Sequence, residues 1–190
     1  MLFSVSLSAQ PTIDDFATGS INTKAFNNGE SERMFQSGTS VVGGIRRVHL
    51  KVGENIYNHK PQLSIGTKNQ LVYTSGYDVN STVYLSYGYD KNGAEPLNLD
   101  LSKYNKIKIE FDAKSAKTGM YLAMFTNSDR AVFSSHVPER EGKLVFEIPL
   151  NKLKKIGKNF TLKDVDHMVF QFDSRSKTGC NMAINKIWLE

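Results

Sequence analysis

The sequence predicts an all-β fold, an antiparallel β-sandwich of the jelly-roll type, and two alternating segments give the clearest indication. In residues 107–112 apolar side chains alternate with charged ones, so one face can be buried while the other faces water. The same alternation returns in residues 144–148, and no stretch has the periodicity of a long helix. The side chains predicted to be buried are Ile107, Ile109, Phe111, Phe146, Ile148, Phe170 and Phe172.

The predicted strands follow one another at near-regular spacing. Residues 13–16 open the domain, and residues 17–38, which are polar and contain glycine, are expected to form loops with at most one short strand. Asn92-Gly93 is a turn signal, and residues 152–155 are expected to form a turn or one helical turn. Strands are predicted at 44–52, 62–66, 70–75, 81–87, 106–112, 120–127, 131–137, 144–148, 165–173 and 182–190. About ten short strands are typical of a sandwich or jelly roll.

The composition excludes several classes of protein. The 190 residues carry a formal net charge of +5, but the basic residues are dispersed along the chain, which argues against a nucleic-acid partner. No apolar run approaches the ~20 residues that a membrane-spanning helix needs, so no membrane insertion is expected. Cys180 is the single cysteine, which excludes an internal disulfide framework, and no histidine near it in sequence marks it as a nucleophile.

The first ten residues have the character of the end of a secretory signal peptide. Residues 2–9 are apolar and rich in small side chains, and Ser8-Ala9 precedes Gln10 as at a cleavage site, although a basic start is missing. We therefore expect residues 1–10 to be a signal-peptide remnant and residues 11–190 to form a single β-sandwich domain. The expected location is secreted, periplasmic or at the cell surface.

Several segments occur in an order found in one group of sandwich proteins. Asp14-Asp15-Phe16 opens the domain, DLSKYNKIKIEFDAKS spans residues 100–115, GKLVFEIPL spans residues 142–150, and 165–173 with 182–190 form a closing pair. These segments resemble the family 11 carbohydrate-binding modules and, more loosely, the galactose-binding-like jelly rolls that include complex I intermediate-associated protein 30 domains. The matching motifs consist mostly of core positions, so the resemblance is more specific for fold than for ligand.

The resemblance implies a partner and a metal. Family 11 modules bind glucan chains on a concave sheet face, so a polysaccharide or oligosaccharide is the expected partner. Where the resemblance places a binding histidine this sequence has Val169, and His167 lies two residues away on the same strand face. Related jelly rolls often hold a structural calcium, which the resemblance places at Asp14 or Asp15 together with Asn185, an amide where the relatives have aspartate.

Candidate ligand-binding residues come from strand parity and side-chain chemistry. Sugar binding needs flat aromatic faces and planar polar groups, and Tyr84 shares parity with polar residues. In the strand predicted at 44–52, Arg47, His49 and Lys51 project together from the face opposite the core, about 7 Å from one to the next. The predicted ligand-binding residues are Arg47, His49, Tyr84, Arg130, His136, Gln171 and Asp173.

The favoured function is a non-catalytic carbohydrate-binding module, and two alternative functions stay open. The row of Arg47, His49 and Lys51 also has a purely structural explanation, because an edge strand protected by charge would carry the same side chains. A jelly-roll polysaccharide lyase would use Arg47, His49, Tyr84 and Gln171 to neutralise a uronate and move a proton, but the motif strands typical of such lyases are absent. A protein-interaction or cell-surface accessory module would instead display a large apolar patch.

Overall fold

A computed structural model describes residues 11–114, 118–127, 129–176 and 179–190, and the expected leader at 1–10 lies outside the described residues. Its strands are β1 (Thr12–Asp14), β2 (Ile21–Ala25), β3 (Ser31–Ser37), β4 (Ile45–Asn55), β5 (Gln62–Ile65), β6 (Leu71–Ser75), β7 (Val79–Tyr87), β8 (Tyr89–Asp90), β9 (Gly93–Ala94), β10 (Lys106–Lys114), β11 (Thr118–Phe125), β12 (Arg130–Val137), β13 (Leu144–Pro149), β14 (Lys154–Ile156), β15 (His167–Ser176) and β16 (Cys180–Leu189). Short 3-10 turns lie at Val42–Gly44, Thr67–Asn69 and Leu150–Lys152. In the part of the chain that is described, no helix is long and apolar enough to cross a membrane.

The strands form two antiparallel sheets and one small hairpin. The first sheet has the order β13-β10-β16-β6-β5-β2, with β1 also paired to β16, and the second has the order β14-β12-β11-β15-β7-β4-β3. The hairpin is β8-β9, whose two turn residues are Lys91 and Asn92, so the predicted Asn92-Gly93 signal spans the end of the turn and the first residue of β9. The chain passes repeatedly from one sheet to the other, as is typical of jelly rolls. The prediction of an all-β antiparallel sandwich is confirmed.

The core lies between the two sheets and is built from the inward-facing positions of both. Phe111 of the first sheet and Phe172 of the second meet edge to face, with ring centroids 6.1 Å apart. Phe146, which was also predicted to be buried, is only half-buried because β13 is an edge strand with β10 as its partner on one side. The predicted core side chains that are buried are Ile107, Ile109, Phe111, Ile148, Phe170 and Phe172.

The segment at 17–38 differs from the prediction, because it contains two strands rather than at most one. β2 lies at an edge of the first sheet beside β5, and β3 lies at an edge of the second sheet beside β4. Edge strands contribute few side chains to the core, so long-range backbone pairing forms them without an apolar sequence pattern. A similar difference occurs at 152–155, where a 3-10 turn leads into the short edge strand β14.

A buried ion pair joins the first sheet to the second. Asp14 of β1 and Arg46 of β4 both have fully buried side chains, and Arg46 Nη1 donates to the two carboxylate oxygens of Asp14 at 2.6 and 2.7 Å. The hydroxyl of Tyr87 donates to Asp14 Oδ2 at 2.8 Å, and the backbone N–H of Phe16 donates to Oδ1 at 2.9 Å. Four donor contacts therefore surround one carboxylate inside the core.

The guanidinium of Arg46 also holds the loop that follows β1. Its Nη2 donates to the carbonyl oxygens of Thr18 and Gly19 at 3.0 and 2.6 Å. Burial raises the pKa of the Asp14 carboxyl, while the charge and hydrogen bond of Arg46 act to lower it. Because two buried charges balance each other here, removal of either one leaves the other without a partner.

Substitution Asp14→Ala is expected to destabilise the protein by about 3 to 5 kcal/mol, because it leaves the Arg46 guanidinium buried and uncompensated. Urea unfolding followed by circular dichroism measures this change. Asp15→Ala is the matched control, since the Asp15 side chain only accepts the backbone N–H of Ala17 at the surface. Equal stabilities of the two variants would contradict this role for the ion pair.

Candidate functional site

The outward face of the second sheet carries an ordered array of polar and aromatic side chains. On each strand the alternate positions are buried, so their neighbours face outward together. The strand register sets these outward residues in rows that run across the sheet. One row, called the central row below, spans six strands, about 24 Å at the usual strand spacing. Its members are Arg33, His49, Tyr84, Gln171, Tyr121 and Ser134.

Two further rows flank the central row on the same face. The row on one side, called the Lys51 row, is Ser31, Lys51, Thr82, Asp173, Gly119 and His136. The row on the other side, called the Arg47 row, is Phe35, Arg47, Ser86, Val169, Ala123 and Val132. On β12, Arg130 lies two residues from Val132 and so belongs to the next row beyond the Arg47 row, opposite Phe125. All seven predicted ligand-binding residues therefore lie on one face, and their binding role stays a prediction.

Tyr84 lies at the centre of the face and stacks on His49. The two rings are 5.2 Å apart between centroids and 20° from parallel, and their residues are directly opposite each other on β7 and β4. Ser31 Oγ lies 2.7 Å from Nε2 of His49 and holds the edge of the imidazole. The Tyr84 ring is half-buried, so part of it remains accessible beside a fixed neighbour.

Gln171 is oriented by its neighbours on the Tyr84 side of the sheet. Its Nε2 donates to both carboxylate oxygens of Asp173 at 3.0 Å, and the hydroxyl of Thr82 donates to Oδ1 of the same carboxylate at 2.7 Å. Because the amide nitrogen is engaged by Asp173, the amide oxygen of Gln171 is the group left to accept a further hydrogen bond. Asp173 thus acts as a support for Gln171.

The side chain of Arg47 is held by a stack of aromatic rings, Tyr89 and His167, next to the Arg47 row. The guanidinium carbon lies 3.9 Å from the ring centroid of Tyr89, and Tyr89 in turn stacks on His167 at 4.6 Å and 24°. Nη2 of Arg47 also donates to Ser86 Oγ at 3.3 Å. The backbone before Tyr89 passes close to the backbone before His167, and this requires glycine at position 88. Gly88 has φ of 90°, and a Cβ there would lie 2.4 Å from the carbonyl oxygen of Asp166.

Four residues of this face were missed by the sequence predictions. Arg33 and Phe35 lie on β3, which was not predicted as a strand, so no parity could be assigned to them. Tyr121 alternates with Met120 and Leu122 in a predicted strand, and its outward position was available from parity alone. Tyr89 follows the end of a predicted strand, and its stack depends on tertiary contacts.

The concentration of tyrosines in the middle of the chain does not form one surface. Tyr73 and Tyr87 are buried in the core, where Tyr73 lies beside Ser81 and Tyr87 donates to the ion pair. Tyr77 lies in the turn between β6 and β7, with Tyr57 against it at 4.6 Å between ring centroids. Tyr84 and Tyr89 are therefore the tyrosines of this group on the outward face of the second sheet.

Asp14 and Asn185, which the resemblance assigned to calcium, are engaged in separate contacts. The oxygens of Asp14 face Arg46 in the interior. Asn185 Oδ1 accepts from Gln70 at 2.7 Å and its Nδ2 donates to Glu110 at 2.7 Å. Asp15, the alternative to Asp14, accepts the backbone N–H of Ala17 at the surface. Among the residues described, no group of three or more His, Cys, Asp or Glu could hold a metal. Calcium binding stays a prediction from the resemblance.

Comparisons with known proteins return solved structures of similar fold. The chain is similar to the family 11 carbohydrate-binding module of a cellulosomal cellulase of Clostridium thermocellum, with 15% identity, TM-score 0.47 and coverage of 97% of this chain and 95% of that one. A family 11 module from Clostridium thermocellum in complex with a β-1,3-1,4-mixed-linked tetrasaccharide gives 14% identity, TM-score 0.41 and coverage of 91% and 96%. The structure of TmCBM61 in complex with β-1,4-galactotriose has 11% sequence identity and a TM-score of 0.39, and the match covers 76% of this chain and 87% of that one. No family model and no curated protein matches the chain.

The cations of the face act on one another. Burial lowers the pKa of His49, and the positive charges of Arg33, Arg47 and Lys51 lower it further. Protonation of His49 is therefore less favourable in the folded protein than in the unfolded chain, where the pKa is about 6.5. The neutral imidazole contributes stability that is fully present above this unfolded pKa and is lost as the pH falls through the folded pKa. The cations of β3 and β4 are thus close enough to His49 to disfavour its protonation.

Substitution Arg33→Gln is expected to raise the pKa of His49, because it removes one of the charges that disfavour the imidazolium. A titration of the His49 ring signals by NMR measures the change. Arg130→Gln is the matched control, since Arg130 lies on β12, four strands away from β4, and is not among the causes of the shift. An unchanged His49 pKa in the Arg33 variant would contradict the proposed electrostatic coupling.

Proposed function

We propose that this chain is an exported, non-catalytic carbohydrate-binding module that recognises a polysaccharide on the outward face of the second sheet. The central row is the observation that carries the proposal. It sets the accessible part of a fixed aromatic ring, Tyr84, between planar polar groups on neighbouring strands. The leader-like sequence at 1–10 supports export.

The central row has the chemistry that a sugar chain needs. An aromatic ring packs against the apolar face of a pyranose, and planar amides or guanidinium groups bind its hydroxyls in fixed directions. Tyr84 and Tyr121 lie on either side of Gln171 in the row, and the Gln171 amide oxygen is aimed by the contact of its nitrogen with Asp173. The three side chains thus offer stacking surfaces and a hydrogen-bond acceptor within two strand spacings, about 10 Å.

The absence of catalysis is supported by the carboxylates and the histidine of the face. Hydrolysis of a glycosidic bond commonly uses two carboxyl groups on either side of the bond. Among the described residues of the three rows, Asp173 is the single carboxylate, and it already accepts from Gln171 and Thr82. His49 lies against Tyr84 with Nε2 in contact with Ser31, an arrangement that fixes the ring rather than exposing both nitrogens.

Substitution Tyr84→Ala is expected to weaken binding of a recognised polysaccharide by about 1 to 3 kcal/mol, roughly 5- to 150-fold, by analogy with the loss of base–aromatic stacking. Affinity electrophoresis against neutral and uronate-containing polysaccharides identifies the ligand, and isothermal calorimetry with its oligosaccharides gives the affinity. Tyr57→Ala is the matched control, because Tyr57 is 53% exposed and lies among Tyr77 and His59, away from the rows.

Retention of none of the polysaccharides by the folded wild-type protein would contradict the proposal and favour a protein-interaction module. Equal losses in the Tyr84 and Tyr57 variants would place the binding site elsewhere. The same assay also tests the lyase. Growth of absorbance from unsaturated uronate during incubation with a polyuronate would overturn the non-catalytic part of the proposal, with Arg47, His49 and Gln171 as the residues to examine.

A further inference from the structure

We infer that the polysaccharide recognised by the second sheet is anionic, carrying carboxylate or sulfate groups along its chain. This inference rests on the proposed function and names the class of ligand for the same face. It is drawn from the difference between the outward faces of the two sheets, which belong to one domain and meet the same solvent.

On the first sheet most of the outward lysines are matched by carboxylates. Lys106 Nζ lies 3.1 Å from both Glu147 and Glu190, and Lys108 pairs with the same two residues, at 3.3 Å from Glu147. Lys143 lies 3.6 Å from Glu110. Lys186 differs, since it lies over the ring of Trp188. Three lysines of this face are therefore paired with carboxylates of their own sheet.

On the second sheet the outward cations have no such partners. Arg33, Arg47, Lys51 and Arg130 form no ion pair with any carboxylate of the described residues. The carboxylate of the three rows is Asp173, which is engaged by Thr82 and Gln171. Within the three rows, three cations without ion pairs, Arg33, Arg47 and Lys51, are set against one carboxylate, and this excess of positive charge favours a negatively charged ligand.

Three of the cations lie beside the stacking surface. Arg47 and Lys51 lie on β4, one strand spacing from Tyr84, and Arg33 lies on β3, two strand spacings from it. Arg130 and His136 are exposed on β12, at the other side of the sheet, about 14 Å from the strand of Tyr84. A sugar chain laid along the central row would therefore meet positive charge at its β3–β4 end, and Arg130 lies two rows away from the central row on the strand at the other end.

Arg47 is prepared for an anion by its surroundings. Its guanidinium carbon lies over the Tyr89 ring, 3.9 Å from the ring centroid, and one N–H is engaged by Ser86. A planar guanidinium with a fixed orientation and free N–H groups binds carboxylate or sulfate oxygens with two parallel hydrogen bonds. The cost of ordering a long side chain on binding is lowered because the stack has already ordered it.

Protection of an edge strand does not account for the row on β4. Charged side chains prevent edge-to-edge aggregation when they lie on the outermost strand of a sheet. In this protein β4 pairs with β7 on one side and β3 on the other, so Arg47 and Lys51 lie on an interior strand. Their positive charge has to be explained by what approaches the face of the sheet.

The decisive experiment compares a charged polysaccharide with its uncharged ester on the same backbone, and adds two anionic polymers of other backbones. Polygalacturonate, its fully methyl-esterified form, a sulfated galactan and single-stranded DNA are each tested by affinity electrophoresis and calorimetry with the whole protein. We expect polygalacturonate or the sulfated galactan to bind, the esterified polymer to bind at least tenfold more weakly, and affinity to fall roughly 20- to 40-fold between about 50 and 200 mM salt, by analogy with three phosphate contacts.

Variants locate the charge dependence on the face. Lys51→Gln, at an exposed position, is expected to weaken binding of the anionic polymer by about two- to fivefold and to reduce its salt dependence. Arg47→Gln is expected to have a larger effect. Lys143→Gln is the matched control, since it removes the same charge from the first sheet. Equal effects of Lys51→Gln and Lys143→Gln would overturn the assignment to this face.

The outcomes separate this inference from the proposed function. Equal, salt-insensitive binding of polygalacturonate and its methyl ester would overturn the anionic ligand while leaving carbohydrate binding in place. Failure of every polysaccharide to bind the folded protein would overturn both. Preferential binding of single-stranded DNA over both anionic polysaccharides would replace the sugar with a nucleic acid and also overturn the inference.

Discussion

The buried ion pair between Asp14 and Arg46 is the interaction on which the rest of the structure depends. Two charges without water are tolerated in the core because each one neutralises the other and nearly all of their polar atoms have partners. The pair also fixes the register of β4, since a shift by one residue would turn Arg46 outward and Arg47 inward. The core contact thereby determines which cations face the solvent on the second sheet.

The two outer faces of the sandwich differ in how their charges are paired. The first sheet meets water with lysines and glutamates that form ion pairs with each other. The second sheet leaves its arginines without carboxylate partners and arranges them around stacked rings. One fold thus carries two surfaces of different chemistry, and we propose only the second as the surface that binds a polysaccharide.

The sequence predicted the parts of this arrangement that depend on local alternation. The strands around Ile107 and Ile148 and the outward parity of Tyr84 follow from a period of two. The strands β2 and β3 could not be predicted, because pairing with β5 and β4 forms them despite a polar sequence. The role of Asp14 could likewise not be predicted, since its partner Arg46 lies 32 residues away and the resemblance assigned Asp14 to a calcium site.

The pairing of β1 with β16 brings the two ends of the folded domain side by side. The backbone N–H of Leu189 donates to the carbonyl of Pro11 at 3.0 Å, next to the register pair Thr12 and Trp188. A domain with adjacent ends can be inserted into a surface loop of another protein without straining either partner. The same adjacency would allow a short linker to join the ends while the exposed turn at Asn92 is opened, giving a circular permutant with both sheets intact.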